Sequence, residues 1–143
     1  MKSIELLAPA KDLQAAVAAV DYGADALYIG GARFGARHAA GNSAEEIARA
    51  VEYAHQYGVR VHATLNTLLY DGELAEAERQ ARELIAAGVD AVCVCGTTGE
   101  ASALHDKEHR EALAWCCEYV NHRVPVVAGT GSNDTAYAIE LTK

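Results

Sequence analysis

Residues 93–100 read CVCGTTGE, and the chemistry of the chain is concentrated there. An apolar segment ends at Gly96. Two hydroxyl side chains follow, Thr97 and Thr98, and Gly99 and Glu100 close the stretch. Gly96 lets the backbone turn sharply as it leaves a strand. The backbone N–H groups of such a turn, with the two hydroxyls, form a nest suited to a carboxylate or phosphate. The same residues also make a tight loop whose threonines only satisfy neighbouring backbone groups. GTGSND at 129–134 repeats the design: it either adds a second loop to the site, with Asn133 at the rim, or, on the plainer reading, is a glycine-rich turn with Asn133 as the cap of the next helix. Neither stretch is a dinucleotide fingerprint, because the full glycine spacing is missing.

Other residues could join such a site. In VRVHATLN (59–66), Arg60, His62, Thr64 and Asn66 share one face of a strand, and Val59, Val61, Ala63 and Leu65 share the other. A buried strand with a polar face suits a barrel better than a doubly wound sheet. His62 and Asn66 either face a ligand at the rim or belong to a polar ladder satisfied within the barrel. Lys11, in LLAPAKD, stands at the end of the first strand. Desolvated, it would be a Schiff-base nucleophile. A solvated lysine near a helix start is the plainer reading. Cys93 and Cys95 on a strand cannot readily converge with Cys116 and Cys117 on a helix, so all four read as small buried hydrophobes. His105 and His109 open a helix beside Asp106 and Glu108 and read as solvated. No metal site and no cofactor is expected, and no G-x-S-x-G elbow is present.

These residues are positioned by a repeating unit in which a helical stretch closes on Gly and a short β-rich run follows. AAVDYGADALYIGG does so at Gly23, AHQYGVRVHATLN at Gly58 and LIAAGVDAVCVCG at Gly88. Strands are expected at 4–8, 25–30, 59–65, 89–95 and 124–128. Between them run helices striped by Leu13, Val17 and Val20; by Ile47, Val51 and Ala54; by Leu74, Ala77, Ala81 and Leu84; and by Leu113, Cys116 and Val120. Ser43 and Glu46 make a capping box, and Asp71 and Asn133 are the expected caps of helices three and five. Alternating strands and helices give an α/β fold with a parallel sheet. Five βα units fit a partial aldolase-type TIM barrel, whose complete form needs about 250 residues. The alternative is a flavodoxin-like doubly wound sheet. Either way residues 1–143 form a single domain, and ligands bind in the loops that start at Pro9, Gly30, Asn66, Gly96 and Gly129. The chain stops early in its fifth helix and looks cut.

With 143 residues, 51% of them hydrophobic, the chain can bury a proper core. A net charge of −8 argues against nucleic acid and against an acidic membrane surface. No apolar run approaches the roughly 20 residues of a membrane span, and the cysteines form no secreted disulfide pattern. A cytoplasmic protein is expected.

Two resemblances divide the chain. Residues 1–92 resemble the N-terminal part of the collagenase-like peptidases of family U-32, through ELLAPAKDL, YGADALYIGGARFGAR and ATLNTLLYDGEL. Lys11 stands where that family usually has Gly, and the family's iron–sulfur cysteines lie in a later part. Residues 93–143 resemble the dihydrodipicolinate synthase and N-acetylneuraminate lyase family, through CGTTGEASALHDKEHREAL and RVPVVAGTGSNDTAYAIELTK. The second resemblance implies that Thr97 and Thr98, with Gly96, hold the carboxylate of pyruvate, a 2-oxo acid. In that family a lysine then forms an imine, helped by tyrosines. None of Lys2, Lys11, Lys107 or Lys143 occupies the lysine's place, and GTTGE follows the second strand there but the fourth here. The resemblances therefore imply a chimeric or truncated barrel with a carboxylate-binding loop and no complete catalytic centre. The alternatives are a peptidase-family fragment acting through partner contacts and a scaffold without activity. Open sheet edges imply self-association, with a homodimer expected.

Overall fold

The computed structural model describes residues 4–34, 41–66 and 72–143. Among the described residues five strands alternate with five α-helices: β1 (Leu7–Ala10), α1 (Leu13–Asp21), β2 (Ala26–Gly30), α2 (Ala44–Gln56), β3 (Arg60–Leu65), α3 (Leu74–Ala86), β4 (Ala91–Val94), α4 (Asp106–Val120), β5 (Val126–Ala128) and α5 (Thr135–Thr142). All four strand pairs are parallel, and the strands lie in chain order, β1-β2-β3-β4-β5. A doubly wound sheet reverses its strand order at a switch point. This sheet does not, so the flavodoxin-like alternative falls away. Right-handed crossovers between strands in unbroken order put every helix on the same side. The fold is a segment of an aldolase-type barrel.

The two sheet faces differ as that arrangement requires. Leu27, Ile29, Val61, Ala63, Leu65, Val92 and Val94 are buried in the core. The alternate residues of β3, Arg60, His62 and Thr64, are exposed or half-buried, as the period of two predicts. From the helices, Ile47, Ala50, Val51 and Ala54 of α2, Ala77, Ala81 and Leu84 of α3, and Cys116 and Val120 of α4 complete the core.

Local signals set the helix ends. Asp12 accepts the Ala15 N–H at 2.8 Å and caps α1, and Ser43 and Glu46 form the expected capping box. The backbone leaves α1, α2 and α3 through Gly23, Gly58 and Gly88, all at positive φ. The fifth helix corrects the expected cap. Asn133 is exposed, and the cap is its neighbour Asp134, which accepts from the Ala136 N–H at 2.9 Å. A carboxylate suits the positive end of a helix better than an amide does. The expected cap Asp71 lies outside the described residues.

The first strand also differs from expectation, running over 7–10 instead of 4–8. Pro9 sits inside it, where a loop was expected to begin. The strand tolerates proline because β1 is an edge, where a missing N–H leaves no ladder bond unmade. Upstream, the Leu6 N–H is taken by the Asp25 carboxylate at 2.8 Å. Asp90 does the same two strands on, accepting the Val61 N–H at 2.7 Å. Both aspartates follow a helix-closing glycine by two residues, in GAD and GVD, so the sequence repeat carries a structural one. Each fixes the entry of the preceding strand.

Leu27 is fully buried under the helices, whereas Leu7 is about half exposed on the edge strand. Leu27→Ala is expected to cost about 2–5 kcal/mol in urea unfolding, and Leu7→Ala less than about 1 kcal/mol.

Candidate functional site

The carboxyl end of β4 leads into two tight turns before α4. Cys95 leaves the strand at φ 54°, Thr97–Gly99 form one turn of 3-10 helix, Glu100 is left-handed at φ 55°, and Ala101–Ala103 form a second turn. Thr97 and Thr98 are exposed, and Gly99 is buried beneath them. The turn's own bonds commit most of its donors. Gly96 N–H goes to Asn66 Oδ1 at 2.6 Å, Gly99 N–H to the Gly96 carbonyl at 2.9 Å, and Glu100 N–H to the Thr97 carbonyl at 3.1 Å. Among the described residues, the N–H groups of Thr97 and Thr98 have no protein acceptor. They are the orphan donors that a helix start leaves. In the exposed residues Thr97 and Thr98 the turn thus holds two N–H groups and two hydroxyls that its own bonds do not use.

What holds the turn comes from outside it. Asn66 is only 8% exposed. Its backbone N–H donates to the Phe34 carbonyl while its side chain receives Gly96. Gly99 lies directly on Asn66, and a Cβ there would stand 2.2 Å from the Asn66 carbonyl oxygen. Gly129, after β5, presses on the same region, where a Cβ would stand 1.9 Å from the Cys95 carbonyl oxygen. Its N–H donates to Val94 O at 2.9 Å, and its carbonyl accepts from His109 Nε2 at 2.9 Å. That carbonyl can only accept, so the His109 Nε2 carries the hydrogen. Three successive strand ends are therefore packed backbone against backbone.

The same device recurs along the rim. Asn42 donates to the carbonyls of Lys11 at 2.9 Å and Gly30 at 2.8 Å. Gln80 accepts the Arg33 N–H at 2.9 Å and donates to the Arg33 carbonyl. Asn42, Asn66, Gln80 and His109 are the buried polar side chains among the described residues, and each holds a loop after a strand. No buried side-chain N or O among those residues lacks a partner.

The residues singled out from sequence fall into different places. Thr97, Thr98 and Gly96 form the turn. Asn66 is beside them as its support. His62 lies half-buried on β3, paired in register with Tyr28 and Ala91. Lys11 is exposed and 3.7 Å from the Asp12 carboxylate, in water and not desolvated. Asn133 is exposed on the loop before α5. Of the cysteines, Cys116 is buried, Cys93 and Cys95 are half-buried, and Cys117 is exposed, so they do not share one environment. Burial raises the thiols of Cys93 and Cys95 and, with Cys117 and Cys95 nearby, pushes Cys116 up to about 12. These thiols stay protonated near neutral pH and are poor nucleophiles.

His109 corrects the solvated reading, since it is buried at 5% exposure. Its signal was present in the sequence. Positions 109, 113, 116 and 120 follow one helical stripe, and Gln80 falls on the stripe of Ala77, Ala81 and Leu84 in the same way. Among the described residues no three His, Cys, Asp or Glu side chains are grouped to hold a metal ion. No helix among them is long and apolar enough to cross a membrane.

Two family models match the chain. Peptidase family U32 matches residues 11–98, and the dihydrodipicolinate synthetase family matches residues 56–143. They overlap over 56–98, the stretch that holds β3, α3 and β4. A 23S rRNA 5-hydroxycytidine synthase of Escherichia coli is 52% identical over 91 residues, covering 64% of this chain and 14% of that protein. A 4-hydroxy-tetrahydrodipicolinate synthase of Acetivibrio thermocellus is 52% identical over 82 residues, covering 56% of this chain and 26% of that protein. Its counterpart in Geobacter metallireducens is 58% identical over 59 residues, covering 41% and 20%. The chain thus spans a quarter or less of the length of most of these relatives, and 26% at the most.

Gly99 and Gly131 make a matched pair for testing the packing of the turn. Gly99→Ala drives a Cβ into Asn66 and is expected to cost about 1–3 kcal/mol or more, while Gly131→Ala meets nothing within 4 Å and stays within about 0.5 kcal/mol. Asn66→Ala strands the Gly96 N–H and is expected to cost about 1–3 kcal/mol. Urea unfolding of the three variants measures all of this.

Proposed function

The chain belongs both to peptidase family U32 and to the dihydrodipicolinate synthetase family, and from that double membership we infer that its Gly96–Glu100 turn is a binding site for the carboxylate of a small 2-oxo acid of the pyruvate class, without a complete catalytic centre. The observation that carries the reading is the turn itself. Thr97 and Thr98 offer two hydroxyls and two uncommitted N–H groups at the carboxyl end of a parallel strand, where such folds bind ligands. Hydrogen bonds from neutral donors to a carboxylate are charge-assisted and favour the ionised form. The site is open to water, so the binding is weak.

Covalent chemistry needs an amine that can lose its proton beside the bound keto group. Lys11 stands in solvent against Asp12, on a different strand end from the turn. The chain's part in the reaction of its lyase relatives is therefore to hold and orient a carboxylate. The other reading, a peptidase-family fragment acting through partner contacts, is favoured by the match over residues 11–98. Capture of RNA or protein with no response to pyruvate would select it.

Calorimetric or NMR titration with pyruvate is expected to give saturable weak binding, about tenfold weaker in Thr97→Ala, which removes one hydrogen bond to a charged group. Borohydride added with pyruvate is expected to leave the mass of the chain unchanged. A reduced adduct on Lys11 would turn the site into an enzyme and defeat this reading.

A second copy of the chain is the partner favoured by the sheet. Among the described residues, β1 and β5 each have a ladder partner on one side only, and Leu7 and Val127 are exposed on those edge strands. Open edges and apolar surface are both relieved by pairing with another copy. Light scattering of the 143-residue chain is expected to give about twice its 15.1 kDa mass. A stable monomer at high concentration would rule the pairing out.

A further inference from the structure

Behind the Gly96–Glu100 turn lies a cavity of about 430 Å³, bounded by the ends of β3 and β4, by Leu74 of α3 and by α4. Its floor is Leu65 and Val94, register neighbours in the buried core. Leu104, Ala112 and Trp115 form its apolar walls. Cavities of this size with apolar walls and few polar groups are the usual form of a small-molecule site, and an apolar cavity is poorly hydrated and accepts apolar ligands. Asn66 and Gly99 also line it, but from behind, so the exposed Thr97 and Thr98 are not part of it.

Among the described residues, the charged members of its lining are Glu108 and Glu111, both acidic and one helical turn apart on α4. Both are exposed, at the solvent side of the cavity. Glu108 accepts the His105 N–H at 2.9 Å. Glu111 faces Lys107 at 3.6 Å in a pair that is largely exposed on both sides. Exposed pairs of that kind contribute little and exchange readily. An apolar chamber with carboxylates at its edge has the complement of an amphiphilic cation. Trp115 adds an aromatic face that favours a cation nearby.

We propose that this cavity is a binding site for a small amphiphilic amine, with an aromatic or branched apolar body against Leu65, Val94 and Trp115 and an ammonium group toward Glu108 and Glu111. This site is separate from the carboxylate turn and of opposite charge preference. Its ligand is held without any covalent step.

Trp115 is the sole tryptophan of the chain, so its emission reports occupancy directly. Benzylamine is expected to change that emission saturably. Benzyl alcohol, of the same shape without the charge, binds several-fold weaker, and benzoate at least tenfold weaker. Glu111→Gln, a surface change that leaves the fold intact, removes most of the preference for the amine over the alcohol. Ala112→Leu, checked for folding by circular dichroism, fills the cavity and abolishes the response. Thr97→Ala leaves benzylamine binding unchanged, which separates failure here from failure of the pyruvate site. No saturable change, equal binding of benzoate, or full binding in a folded Ala112→Leu protein would overturn the proposal.

Discussion

The bond from the Gly96 N–H to the buried Asn66 side chain sets the geometry on which the rest of the rim depends. The β3–β4 ladder ends at Leu65 and Val94. Beyond that pair the chains diverge, and the next N–H would be left in the interior without an acceptor, which is costly. Asn66 extends the ladder by one rung with its side chain. The turn can then lie flat on the Asn66 backbone only because Gly99 has no Cβ, and Gly129 closes on Cys95 for the same reason. His109 anchors Gly129 in turn. Each contact presupposes the one before it, so the rim behaves as one packed unit and not as separate loops.

The same β3–β4 pair is stapled at its other end, where Asp90 accepts the Val61 N–H. This matters because both families match the whole stretch from 56 to 98. A junction anywhere within it keeps a complete strand–helix–strand unit, and the register is then fixed by side chains at both ends as well as by the ladder between. A one-residue slip would carry Val61, Ala63 and Leu65 to the uncovered face, and would break both polar staples at once. The sheet tolerates two ancestries because its registration does not rely on either alone.

Legibility in the sequence followed the range of the interactions. Apart from Leu74, which is exposed, the helix stripes, with the glycines that close α1, α2 and α3, the Ser43–Glu46 box and the alternation of β3, are local and read correctly from spacing. The Gly96–Glu100 turn was visible for the same reason. The misses are long-range. Asn42 looks like a surface residue until its partners 12 and 31 positions away are known, and the stripes that bury Gln80 and His109 give no sign of the partners 47 and 20 positions away that hold them. The start of β1 was misplaced because Asp25, nineteen residues on, takes the Leu6 N–H, and because Pro9 is harmless on an edge. Asn66 reads from sequence either as a ligand-facing residue or as a member of a satisfied polar ladder, and its side chain takes the N–H of the neighbouring turn, a partner that spacing does not name. The cap of α5 was missed by one residue, since Asn133 and Asp134 are both good caps and only the structure selects between them.

The dependence of the turn on outside supports also separates what can move between folds from what cannot. An anion nest is made of backbone N–H groups and short side chains, all within five residues, and needs only a strand end and a neighbour like Asn66 to fix it. It can stand after a second strand or a fourth. A covalent centre is different. It requires an amine on another strand at a set distance and a cavity that desolvates it. Moving such a turn from one strand end to another would change every such distance and leave the nest as it is. Lys11, beside Asp12 in water, has the functional group without the surroundings. The proposed carboxylate site therefore asks of this arrangement of strands only what a local turn can supply.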